Sequence, residues 1–216
     1  MKISVIPDLH GELAALKALL KAIGPSSKNS LIIQLGDFID RGPDSRGCVE
    51  LLLKLQMKDP ERFIVLKGNH EDMLEKAPDS HEAQAMWMLN GGGATLKSYG
   101  DDFEALCRDG AKQAAWMASR PLTYECMQIL FCHAGLSLKN QQAKDPRGLL
   151  WDRPPLAKGG YRAVVCGHTP TQSGRIEHQD GVFHCDLGLG RKNVQALEYL
   201  ELELSETELE WKIKPA

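Results

Sequence analysis

This 216-residue chain has no apolar run long enough to cross a bilayer. Stretches such as LIIQL at 31–35 end after a few residues, where a spanning helix needs about 20. The first residues, MKISVIPDLHG, lack the apolar core of a secretion signal, so retention in the cytoplasm is expected. An excess of either charge is missing as well. A formal balance of −3, with no basic stretch, gives no global attraction to nucleic acid or to anionic lipid. Neither a nucleic acid nor a membrane is therefore an expected partner. Paired cysteines are missing too: the six, at 48, 107, 126, 132, 166 and 185, form no CxxC. Several lie inside apolar runs such as ILFCH and AVVCGH, which reads as small buried hydrophobes in a reducing compartment. Repeats, linkers and low-complexity tracts are absent, and the whole of 1–216 is expected to form one domain with a substantial core.

What is present is a repeated grammar. Four segments, ISVIPDLHG (3–11), LIIQLGDFIDRG (31–42), FIVLKGNHE (63–71) and AVVCGHT (163–169), each run from a short apolar stretch into a polar cluster. A fifth, QILFCHAG (128–135), does the same. Near-continuous apolar runs suit strands covered on both faces. Between the early strands lie helical patterns. ELAALKALLKAI carries apolar residues at 13, 16, 19, 20 and 23 and stops at Gly24-Pro25. Residues 44–58 open on Asp44 or Ser45 as cap and carry Val49, Leu52, Leu53 and Leu55. Strand–helix–strand–helix–strand implies right-handed crossovers and parallel pairing.

The middle, about 71–127, reads as helix-rich, broken at Gly91-Gly92-Gly93, and its Met-rich run QAMWML (84–89) reads as buried helix packing. Residues 194–204 and 208–213 alternate apolar and polar around Ser205-Glu206, an antiparallel hairpin. The fold class expected is α/β of the α+β type: a β-sandwich with a βαβαβ half, flanking helices and that C-terminal hairpin.

The polar clusters share a destination, because ligands of open α/β sheets gather at the carboxyl ends of strands. In SVIPDLHGE (4–12), Asp8 and His10 are two residues apart and on extended backbone face one side. Alone, Asp8 reads as readily as a helix cap. Together the strand ends offer Asp8, His10, Asp37, Asn69, His70, His133 and His168. Oxygen and nitrogen ligands without thiolate suit Mn, Fe or Zn at a catalytic site. Seven such groups exceed the needs of one ion with open positions, whereas two ions sharing a carboxylate account for them.

Asp8-Leu9-His10-Gly11, Gly36-Asp37-Phe38-Ile39-Asp40-Arg41-Gly42, Gly68-Asn69-His70-Glu71, His133-Ala134-Gly135 and Gly167-His168-Thr169 resemble, in order, the motifs of the phosphoprotein phosphatase family. The likeness is greatest to its bacterial and phage members, and WMLNGGGATLKSYG (87–100) also resembles a segment of the bacterial enzymes. The resemblance implies the calcineurin-like metallophosphoesterase fold and a serine/threonine phosphatase acting on a phosphorylated protein or peptide, with phosphotyrosine as a further substrate. It implies two divalent ions, manganese first, with iron or zinc as substitutes. Asp8 and His10 would hold the first ion, Asp37 would bridge, and Asn69, His133 and His168 would complete the second. Arg41 would bind the substrate phosphate, helped by Asn69 and by Arg153 of Trp151-Asp152-Arg153. His70 would protonate the leaving oxygen, oriented by Asp40.

The chemistry is consistent with those roles. Two ions roughly 3.5–4 Å apart can activate a bridging water and clamp an in-line displacement. A planar guanidinium matches two phosphate oxygens at once. An alkoxide leaves poorly, so a proton donor is worth about 10²–10⁴ in rate. Glu71 reads as a helix-start residue outside the site. HCDLGLG (184–190) only partly resembles an Asp-Thr-Gly motif of relatives, which leaves the role of Asp186 open.

Diadenosine tetraphosphatases, the nearest alternative, typically carry Ala where Asp40 stands, since a nucleotide phosphate departs without an oriented acid. Nuclease-type relatives commonly have a His where this chain has Pro170. A binding module that had lost catalysis would lack some ligand, acid or arginine, and none is missing.

Overall fold

The computed structural model describes residues 1–25, 27, 29–101, 106, 111–139, 145–191 and 194–216. The chain begins with β1 (Lys2–Ile6), α1 (Leu13–Ile23), β2 (Ser30–Gln34), α2 (Ser45–Lys58) and β3 (Phe63–Val65). β2 pairs in parallel with both β1 and β3, so the first half is a βαβαβ unit. The helix α1 buries Leu16 and Leu19 of its predicted stripe and ends at Gly24, whose φ of 77° a residue with a side chain would resist. Burying each such leucine is worth about 1.5–3 kcal/mol. In α2 the cap is Asp44, whose carboxylate accepts the Gly47 N–H at 2.8 Å.

Beyond β3 come α3 (Asn69–Lys76), α4 (His81–Trp87), a π-helical turn (Met88–Gly92), α5 (Gly93–Ser98) and α6 (Ala111–Ala118). The break expected at the three glycines falls at Gly91, with φ 110°. Two expectations for this region need correction. Residues 123–126, inside the stretch read as helix-rich, form a strand, β4 (Thr123–Cys126), paired to β5 (Ile129–Cys132). In QAMWML only Trp87 is buried, while Met86, Met88 and Leu89 are 54%, 41% and 85% exposed, so the run is not a packed stripe.

The chain continues through α7 (Pro146–Trp151), β6 (Ala163–Cys166), β7 (Glu177–Gln179), β8 (Val182–His184), β9 (Glu198–Leu204) and β10 (Leu209–Pro215). β9 and β10 are the predicted hairpin, and β9 adds antiparallel to β1. One sheet runs β10-β9-β1-β2-β3 and the other β4-β5-β6-β8-β7. Ile3, Val5 and Ile33 of the first, with Leu35 just after β2, meet Phe131, Val165 and Phe183 of the second in the inter-sheet core. Ile6 and Ile32 point the other way, into the layer formed by α1 and α2. Cys48, Cys132, Cys166 and Cys185 are buried, as read, and Cys126 is half-buried. Cys107 lies outside the described residues. Among the described residues no helix is long and apolar enough to cross a membrane.

Candidate active site

The polar clusters follow β1, β2, β3, β5 and β6, and the two sheets bring these strand ends together. Tight loops do the aiming: His10, Asp37, Asp40, Arg41 and His168 all have positive φ, between 44° and 69°. Left-handed backbone at residues other than glycine is stored strain that the packed surroundings must hold in place. Gly167 shows how closely they hold it, since a Cβ there would lie 1.9 Å from Asp8 Oδ1.

Asp37 is central. Its Oδ2 is 3.6 Å from His10 Nε2 and 3.8 Å from His70 Nε2, and its Oδ1 is 3.3 Å from His133 Nε2. Two groups of potential ligand atoms, each within 4.8 Å of one another, share this residue: His10–Asp37–His70 and Asp37–His133–His168. Asn69 lies in the second group's space, its Oδ1 2.9 Å from His133 Nε2 and 3.0 Å from His168 Nδ1. His10 and His133 are aimed from behind by backbone carbonyls, their Nδ1 atoms donating to Ile39 and Leu35 at 3.1 and 3.0 Å. Asp8 does not cap α1, whose N-cap position is Glu12; its Oδ2 accepts the His168 N–H at 3.0 Å. Asp8 belongs to neither three-residue group, whereas His70 shares one with His10 and Asp37.

The electrostatics call for cations. Asp8, Asp37 and Asp186 are at most 2% exposed. Burial, and then the charges of Asp186 and Asp37, push the Asp8 carboxyl up. Burial also pushes Asp186 up. Asp37 is held down instead, because His133 and His70 outweigh its burial. Burial opposes a charged His133, but Asp37 overcomes this and lifts it to about 10. Burial and His133 take His168 down to about 3. Asp8 Oδ1 and His168 Nε2 are buried without a hydrogen-bond partner. A buried carboxylate oxygen and a buried neutral imidazole nitrogen, both orphaned, are costly unless a cation takes them. The donor set fits divalent metal ions.

The calcineurin-like phosphoesterase family matches residues 1–197. The chain belongs to that family. It is a metallophosphoesterase, a hydrolase of a family that uses divalent metals. Serine/threonine-protein phosphatase 1 of Salmonella typhimurium is 34% identical to it over 182 residues, 77% of this chain and 77% of that one. A protein serine/threonine phosphatase from Saccharomyces cerevisiae with similarity to human phosphatase PP5 superposes on 100% of this chain and 80% of its own, with TM-score 0.69 and 18% identity. A putative diadenosine tetraphosphatase superposes on 98% of this chain and 93% of its own, with TM-score 0.58 and 16% identity. These two structures speak for the fold alone.

Around this phosphoesterase centre stand the remaining predicted residues. His70 Nδ1 meets Asp40 Oδ2 at 2.6 Å, and both residues are buried. The guanidinium of Arg41 contacts His10 Nε2 and, at 2.8 Å, His70 Nε2. Since each ring's Nδ1 donates elsewhere, these Nε2 atoms are the acceptors. Arg153 is exposed on the rim, with Nη1 3.5 Å from Thr169 Oγ1, over a cleft of about 910 Å³ that His178 and His184 also line.

One residue set outside the site by sequence belongs to its frame. Glu71 is 1% exposed. Its Oε2 accepts the N–H groups of Asp37 at 2.9 Å and Gly68 at 2.8 Å, and its Oε1 those of Phe38 at 2.9 Å and Ile39 at 3.3 Å. It thus ties the loop after β2 to the loop after β3. Burial and the charge of Asp37 push its carboxyl up to about 7, against those hydrogen bonds. Its place right after His70 was the available signal. Glu71→Ala leaves these buried N–H groups without a partner, at about 1–3 kcal/mol each before relaxation. Chemical denaturation should therefore show a loss of at least about 3 kcal/mol, and Glu71→Gln, which keeps one carbonyl oxygen, a smaller one.

Proposed function

We propose that the chain hydrolyses serine and threonine phosphomonoesters of proteins or peptides, with two divalent ions, manganese by preference. Asp8 and His10 would hold one ion, Asn69, His133 and His168 the other, and Asp37 both. When bound, such ions activate water and neutralise the charge that builds on the phosphoryl oxygens. The observation that carries the choice of substrate is the buried His70–Asp40 pair. Asp40 accepts from His70 Nδ1, which leaves Nε2 directed at the site, beside Arg41. Nε2 accepts from Arg41 in this structure, and once Arg41 turns to the substrate phosphate a proton taken up there would serve a leaving serine alkoxide, which departs poorly without one. Arg41 would exchange its imidazole contacts for two phosphate oxygens, and Asn69 and Arg153 would add further donors. The diadenosine tetraphosphatase reading has less to support it, because a nucleotide phosphate needs no such acid.

The test is phosphate release by the Mn²⁺-loaded protein on phosphoserine, phosphothreonine and phosphotyrosine peptides beside diadenosine tetraphosphate. The expected result is peptide turnover above dinucleotide cleavage. Preferential dinucleotide cleavage would overturn the substrate class while leaving the phosphoesterase chemistry in place.

A further inference from the structure

The tract WMLNGGGAT (87–95) supplies none of the proposed metal ligands, yet it closes on the two residues next in importance. Asp40 is fully buried. Trp87 Nε1 donates to its carboxylate, 3.1 Å from Oδ1 and 3.0 Å from Oδ2. Thr95 Oγ1 donates to Oδ1 at 2.6 Å and accepts the backbone N–H of the same aspartate at 2.9 Å. Oδ2 keeps its short bond to His70. Asp40 is therefore gripped at both backbone and side chain by one hydroxyl, and its carboxylate plane is set by an indole that is itself 0% exposed.

Spacing makes this unusual. In an unbroken helix, residues eight apart lie about 12 Å apart along the axis and could not share a carboxylate. The π-helical turn and Gly91 fold the two ends together. The glycines fit as the parts of that fold. A Cβ on Gly92 would lie 2.5 Å from the Trp87 indole, and one on Gly91 would lie 2.8 Å from Arg41 Cγ. The carbonyl of Gly91 accepts the Arg41 N–H at 3.2 Å.

We propose that this tract is a positioning bracket for the acid pair. Trp87 and Thr95 fix the Asp40 carboxylate so that it aims His70 at the leaving oxygen, and Gly91 ties the same bracket to Arg41. The inference rests on the reading of His70 as proton donor. Neither Trp87 nor Thr95 touches the reacting atoms, so both act through Asp40.

The test separates aim from mere stability. Trp87→Phe and Thr95→Val are assayed on a series of phosphomonoesters, from phosphoserine peptide to aryl phosphates whose phenols leave unaided. If the bracket aims the acid, the alkyl ester suffers more, and the ratio of aryl to alkyl turnover rises by roughly tenfold to a hundredfold, part of what a complete general acid supplies. Asp40→Asn should give a rise of the same kind. Adding Trp87→Phe to Asp40→Asn should then change the ratio little further. Thr95→Ser, which keeps the hydroxyl, restores the wild-type ratio. Equal loss on both ester classes in the bracket variants, with Asp40→Asn still selective, would overturn the bracket alone. Equal loss in Asp40→Asn itself would overturn the acid assignment and the bracket with it.

Discussion

Asp37→Asn should lower phosphate release by about 10³-fold or more and leave the protein unable to hold two ions. Each part of that expectation follows from geometry. Asp37 is the one residue shared by both groups of ligand atoms. A carboxylate offers an anionic oxygen to each side, whereas a carboxamide offers one neutral oxygen and turns an N–H₂ toward the other cation. Metal ions supply several kcal/mol of transition-state stabilisation, and about 4 kcal/mol corresponds to 10³ in rate. Loss of the charge also removes what lifts His133 to about 10, and burial then favours its neutral form. The fold should survive, because an asparagine Oδ1 can still accept the His70 N–H that Asp37 accepts at 3.0 Å. Near-wild-type stability beside collapsed turnover is the signature to look for.

The second large effect is on His70. His70→Gln should reduce kcat on a phosphoserine peptide by about 10²–10⁴, the usual worth of a positioned acid. KM should change much less, since the proton matters only as the bond to the leaving oxygen breaks. The competing outcome has its own signature. His70 Nε2 stands 3.8 Å from Asp37 Oδ2 and shares a group with His10. If its main work were ligation, the variant would lose metal affinity and aryl phosphates would suffer as much as alkyl ones. Steady-state kinetics at saturating Mn²⁺ on both ester classes tells the two apart.

Much of this site is legible along the chain because each side chain follows its own strand within a few residues. Asp8 and His10 follow β1, Asp37 follows β2, and Asn69 and His70 follow β3 directly. Apolar runs locate the strands, and the polar residues after them need no long-range knowledge. The boundaries of α1 and the cap of α2 are similarly local, written in Gly24 and Asp44.

What escapes the sequence is long-range or weakly patterned. β7 is Glu-His-Gln, exposed at every position, and carries no apolar alternation to mark it. β4 is half-buried at an edge and reads no differently from the helical stretch before it. Glu71 looks like an ordinary first-turn acid until β2 and β3 place the backbone N–H groups of Asp37, Phe38 and Ile39 against it. Trp87 and Thr95 reach Asp40 across 47 and 55 residues, a closure that only the turn at Gly91 permits. Met86, Met88 and Leu89 are exposed while Trp87 between them is buried, so the apolar run does not mark one packed face.

The central claim is a dinuclear phosphomonoesterase, and counting ions during turnover tests it most directly. Metal-stripped protein is titrated with Mn²⁺ while bound metal and phosphate release from a phosphoserine peptide are followed together, for wild type and for Asp37→Asn. The account predicts two ions per wild-type chain, with turnover rising as the second binds, and at most one ion with negligible turnover in the variant. Full turnover with a single ion bound, or two ions held by Asp37→Asn, would contradict it.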